Sequence, residues 1–227
     1  MKPSRQADST SKWIANESDI LANVPRQDHA SSSTLLVDDR TTHHTLGIRW
    51  NRHSDRFVFS APSLQNSDVM TKRSVLSFIA RMFDPLGWLS PIIITAKVFM
   101  QELWAIRLDW DEELSSNLRS RWLNFRNQLD NVTTISIPRW FGTRASALAV
   151  ELHGFSDASQ SALAAVVFLR ILNELDDIRV ILVSAKTKVA PLKRMTIPRL
   201  ELAAAVLVRQ VLKIRDVLEL HHVPTHL

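Results

Sequence analysis

A chain of 227 residues, 45% apolar and 22% charged, has the composition of a folded protein with a sizeable core rather than of a disordered one. It has no cysteine, which excludes disulfides and thiolate metal sites and fits a reducing, intracellular compartment. The net charge of +5 is uneven: residues 132–227 carry twelve basic and eight acidic side chains, whereas 1–70 carry eight of each and 71–131 eight and seven. A polyanion surface, if one exists, is expected in that last part.

Taken in order, the chain opens without the apolar run of a signal peptide, and its longest apolar stretches, such as 92–96, are too short to cross a bilayer. Residues 1 to about 45 are rich in Ser, Thr, Asn, Asp and His and read as loop-dominated. Apolar and polar residues then alternate over 45–50 and again over 56–60, around the polar stretch Asn51-Arg52-His53-Ser54-Asp55, which predicts a β-hairpin.

From residue 71 the period becomes helical. Val75, Leu76, Ile79, Met82 and Phe83 mark a first helix with Thr71 as its cap, ended by Asp84-Pro85-Leu86-Gly87. A second helix begins at Ser90-Pro91, with Ser90 as cap. A third carries the stripe Leu114, Leu118, Trp122, Phe125 and Leu129. Trp88, Trp104, Trp110 and Trp122 are expected in the core of this three-helix unit. After Pro138, strands are expected over 148–156, 162–169 and 179–184, followed by a long helix from Pro198 bearing Leu200, Ala204, Leu207, Val211, Ile214 and Leu218. The fold class is therefore α+β: a β-hairpin, three helices, then three strands and a long helix.

Several stretches, in this order, resemble one family: Leu46-Gly47-Ile48-Arg49-Trp50, Thr71-Lys72-Arg73-Ser74-Val75-Leu76-Ser77, Phe83-Asp84-Pro85-Leu86-Gly87-Trp88-Leu89-Ser90-Pro91, His153-Gly154-Phe155-Ser156-Asp157-Ala158-Ser159 and Ile197-Pro198-Arg199-Leu200-Glu201-Leu202. Together they resemble the Bel/Pao class of LTR retrotransposon polyproteins. The resemblance implies three segments: a reverse transcriptase palm tail with the hairpin at 1–70, a thumb-like helical segment at 71–131, and the first part of an RNase H-like domain at 132–227. It also implies an RNA–DNA hybrid and the rest of the polyprotein as partners.

RNase H-type hydrolysis needs acidic oxygen ligands converging on two Mg²⁺ ions about 4 Å apart. The resemblance assigns Asp157, at the end of a strand, and Glu201, in the first turn of the long helix, to two of those ligands. Singly, an Asp before Ala-Ser is a turn residue and a Glu in a first helical turn serves the helix dipole; the pair, in order, favours the metal. The family's third carboxylate belongs to the next strand, and residues 221–227 do not supply it. The expectation is an incomplete site that does not bind Mg²⁺ tightly, with one edge of the Asp157 strand left unpaired.

The stretch 186–199 carries Lys186, Lys188, Lys193, Arg194 and Arg199 without an acid, and reads equally as a solvated loop or a contact for hybrid phosphates. Three other sites fail. Asp38-Asp39 lies in the Ser/Thr-rich stretch without a strand context. The pairs His43-His44 and His221-His222 lack a third spaced ligand. An aspartic peptidase needs Asp-Thr/Ser-Gly, and the glycines at 47, 87, 142 and 154 follow Leu, Leu, Phe and His. The expected function is a reverse transcriptase/RNase H fragment of a retrotransposon pol polyprotein, catalytically inactive alone. The alternative is a non-enzymatic nucleic-acid- or protein-binding module of the same origin.

Overall fold

The polar stretch at 51–55 does turn the chain. In the computed structural model, residues 13, 15–16, 19–26, 42–45, 48–62, 69–143, 147–174 and 177–227 are described, with 42–45 and 48 by their backbone alone. Four strands form a first sheet in the order β1 (Thr42–Thr45), β2 (Ile48–Asn51), β3 (Arg56–Val58) and, far along the chain, β4 (Ser136–Pro138). The expected hairpin is β2–β3, with Trp50 opposite Phe57. Asp55 closes it: its backbone is left-handed at φ 50, which aspartate tolerates. Its carboxylate accepts from the Trp50 indole at 3.0 Å and from the Arg139 guanidinium at 2.6 Å.

The outer strands β1 and β4 were not foreseen. β1 falls in the stretch read as loop, because composition there hides two threonines, good strand formers, at the ends of a pairable run. β4 is three residues long and carries no usable period. Residues 1–58 and 136–139 make one compact unit; residues 59–135 and 140–227 make a second.

The second unit begins with three helices, α1 (Lys72–Ala80), α2 (Ser90–Ala105) and α3 (Ser116–Gln128). Thr71 caps α1 as expected, in a reciprocal box with Ser74. Their shared core takes Val75, Phe78 and Ile79 from α1, Ile93, Phe99, Met100 and Leu103 from α2, and Leu118 and Trp122 from α3. Trp122 stacks between Phe99 and Phe125, each at 5.2 Å. Two details differ from the sequence reading. The buried stripe of α1 runs through Phe78, leaving Leu76 and Phe83 exposed. Ser90 is the first residue of α2 rather than its cap; the Asp84 carboxylate holds the N–H groups of Trp88 and Leu89 instead, at 2.8 and 2.7 Å.

The second sheet has the order β7-β6-β5-β8, built from β5 (Ala149–Ala158), β6 (Ala162–Leu172), β7 (Ile178–Val189) and β8 (Thr225–His226). The first three form an antiparallel meander, and β8 runs parallel to β5. The helix α4 (Ile197–Val211) covers one face with Leu200, Ala204, Leu207, Val208 and Val211. It ends sooner than its periodicity implied, and a single turn, α5 (Ile214–Val217), follows. The architecture is α+β, as expected. Two expectations need correction. Lys186 and Lys188 sit not in a loop but in β7, opposite Ala165 and Leu163. The strand β5 is paired on its second side over part of its length: Thr225 and His226 lie opposite Leu152 and His153, and the Leu152 N–H donates to the Pro224 carbonyl at 2.8 Å, whereas β8 does not extend to the Asp157 end.

The Asp84–Trp88 motif joins helices to sheet. The Leu86 carbonyl accepts from the Ala185 N–H and the Ser184 hydroxyl, both at 2.8 Å, and the Trp88 indole donates to the Val183 carbonyl at 3.1 Å. Gly87 has φ +76, and a Cβ there would stand 1.8 Å from the Ala185 carbonyl oxygen. Only glycine serves both constraints. Gln101 of α2 adds a bond to the Ala190 carbonyl at 2.6 Å. Helices and second sheet thus form one unit, so the expected boundary at 131/132 does not coincide with an edge between compact units.

Candidate functional site

Side chains alternate along β5, and the register decides which face each one takes. Leu152 and Gly154 lie opposite Leu169 and Val167, the buried face that α4 covers. Glu151, His153, Phe155 and Asp157 therefore share the other face. Asp157 is exposed, and its Oδ1 accepts from the N–H of Ala158 at 2.8 Å, a local turn-type bond. Glu201 is exposed in the first turn of α4, beside buried Leu200. No hydrogen bond joins the two carboxylates, and among the described residues no third metal-ligating side chain groups with them. A Mg²⁺ pair needs several converging oxygen ligands. The residues as they stand do not build that cradle.

Among the described residues, the metal-ligating side chains that do converge are Glu151, His153 and His226, whose donor atoms all lie within 4.8 Å of one another. His153 Nε2 stands 3.0 Å from Glu151 Oε2, and Arg170 Nη1 donates to that same oxygen at 3.0 Å. His153, then Arg170, hold the Glu151 carboxyl below the usual carboxylate range. The imidazoles of His153 and His226 stack at 4.8 Å. Sequence reasoning missed this group. A Glu-x-His step along a strand puts both side chains on one face and was legible, but its partner across the parallel register was not.

The expected cations are all exposed: Lys186 and Lys188 on β7, Lys193 and Arg194 in the connection, and Arg199 in the first turn of α4. Lys186 pairs in register with buried Ala165 and Lys188 with buried Leu163, so both lie on the face that α4 covers, opposite to Asp157. Lys186 also lines a cleft of about 430 Å³ between the Asp84–Trp88 loop, β7 and the end of α4, with Lys97 and Lys213 on its other walls. Those two lysines lie outside the basic stretch, so spacing alone gave no signal. Burial pushes the Asp84 carboxyl in that wall above its ordinary range, against the opposing pull of the Leu89, Trp88 and Gly87 N–H groups.

Two tryptophans depart from the expected core. Trp88 and Trp122 are buried, but Trp104 and Trp110 are 48% and 37% exposed. They flank the ammonium of Lys72, which sits 3.7 Å from the Trp104 ring centre and donates to the Leu108 carbonyl at 2.9 Å. The dipeptide Asp38-Asp39 lies outside the described residues, and so do the side chains of His43 and His44. His221 stands 3.4 Å from Asp216, both exposed. No helix among the described residues is long and apolar enough to cross a membrane.

No curated protein matches the sequence. Among solved structures, the foamy viral protease-reverse transcriptase in complex with dsDNA is similar at 14% identity, with a TM-score of 0.22 over 78% of this chain. The chain spans 34% of that protein. The model of the Pao retrotransposon-like RNaseH-like domain matches residues 71–226, from the cap of α1 to β8 and across both helices and sheet. That match covers most of the chain, and by it the protein belongs to the Pao retrotransposon RNase H-like family.

Proposed function

We propose that this chain is a pol-derived segment that engages an RNA–DNA hybrid through the basic surface of β7 and the start of α4, and that it does not cleave the hybrid alone. The family match over 71–226 carries the reading. The five cations of 186–199, exposed and without an intervening acid, supply the phosphate contacts. In this reading Asp157 and Glu201 hold two RNase H-type ligand positions, and 71–131 plays the part of a thumb beside the sheet. RNase H-like domains draw on divalent metal for hydrolysis. Here the two carboxylates face solvent ungrouped, which supports silence over activity. Incubation of the full chain with a labelled hybrid in Mg²⁺ or Mn²⁺ is expected to give no product. Cleavage that disappears in Asp157→Asn would overturn this part of the proposal.

One observation favours the alternative of a protein-binding module. The register puts Phe155, Ile178 and Val180 on the face opposite α4, and they are 57%, 50% and 62% exposed. Exposed apolar side chains on one sheet face fit a protein partner. Failure of the full chain to bind hybrid even at low salt would favour it; binding that falls when the five cations are removed would count against it.

A further inference from the structure

We propose that Glu151, His153 and His226 form a binding site for a late first-row divalent cation of the Zn²⁺ type, separate from the oxygen-ligand pair at Asp157 and Glu201. The backbone sets the geometry. Glu151 and His153 are two residues apart on β5 and so project from one face, and the parallel register sets His226 of β8 directly across from His153. Three donors on two paired strands are held by the sheet rather than by a loop.

Distances decide what fits. Zinc holds nitrogen and oxygen ligands at roughly 2.0–2.2 Å in a tetrahedron, so neighbouring donors stand about 3.3–3.5 Å apart. The His153–Glu151 contact is already 3.0 Å, and the widest spread in the group is 4.8 Å. Rotation of the two imidazoles closes the rest, since neither ring is locked by a bond to the backbone. Two imidazoles and one carboxylate leave the fourth position open to solvent, and that donor set selects Zn²⁺, Cu²⁺ or Ni²⁺ over Mg²⁺ and Ca²⁺. Arg170 supplies the supporting contact: it donates to Glu151 Oε2 and orients the carboxylate.

The competing account is a surface ion network of Arg170, Glu151 and His153. That network explains two of the three residues. It does not explain His226, whose imidazole forms no hydrogen bond among the described residues yet stacks on His153 with its nitrogens within reach of the carboxylate. A metal accounts for all three.

The test is a Co²⁺ titration of the full chain followed by optical absorption, with displacement by Zn²⁺ and calorimetry for stoichiometry. One equivalent is expected, with the intense visible bands of four-coordinate cobalt and no competition from excess Mg²⁺. His153→Ala and His226→Ala should each weaken affinity by at least about 10-fold. His226 is exposed, so its variant keeps the fold, checked by circular dichroism. A control with His221→Ala and His222→Ala together should bind as the parent does. No binding, or binding that survives His226→Ala and vanishes in the control, overturns the proposal.

Discussion

Lys72 is the residue whose role depends most on its surroundings. Its side chain is 4% exposed, yet it carries an ammonium held by two indole faces and one carbonyl. A buried cation persists when its hydration is replaced in this way. Lys72→Met keeps the apolar stem but removes the charge and leaves the Leu108 carbonyl without its donor. A loss of about 2 kcal/mol in denaturant unfolding is expected; an unchanged midpoint would show the box to be incidental. A second residue-level test uses pH. Arg121 grips Glu102 with two bonds, at 2.7 and 2.8 Å, and those bonds hold the Glu102 carboxyl below its ordinary value. Its contribution is therefore complete above the ordinary carboxylate range and is lost as pH falls through the depressed value. The pair is half-exposed, so at most about 1 kcal/mol is at stake. Glu102→Gln should lack that acid-side loss; a variant whose acid profile matches the parent would refute the assignment. Legibility at this scale divides sharply. Thr71 as a cap and Asp157 at the end of a strand could be read because their signals are local. Lys72 between Trp104 and Trp110, and His226 across from His153, could not, since their partners come from other elements.

Elements were legible where a period runs long. The stripes of α1, α3 and α4 and the alternation of β5 and β6 sit in the sequence itself, while α2 was marked only by its Ser90-Pro91 start. Short strands such as β4 carry too few residues for any period, and β7 was cut short because its lysines look like loop residues until they are paired with β6. The Asp84–Trp88 turn shows why motif and element are different things. Sequence gives a helix stop; structure gives a joint in which Gly87 lies against the β7 backbone. Gly87→Ala should cost more than about 1 kcal/mol, from both the left-handed backbone and the clash with Ala185. Hydrogen exchange should then show raised exchange at the Ala185 amide, which donates to Leu86. Unchanged protection there would mean the loop and strand are held by something else.

At the scale of the whole chain, two compact units carry two sheets, and the family match lies across the larger. The excess of positive charge in 132–227, visible in composition, includes five exposed cations on β7, in the connection after it and at the start of α4, and Lys97 and Lys213 line the same cleft as Lys186. Nucleic-acid affinity built on such a surface is set by counterion release, not base contacts. The direct test is the affinity of the full chain for an RNA–DNA hybrid across a salt series, repeated with Lys186, Lys188, Lys193, Arg194 and Arg199 all changed to Gln. Log affinity should fall linearly with log salt, each neutralised phosphate adding roughly 0.7–0.9 to the slope, and the variant should bind weakly with a much flatter line. An affinity that ignores salt, or a variant that keeps the parent's slope, would contradict the account.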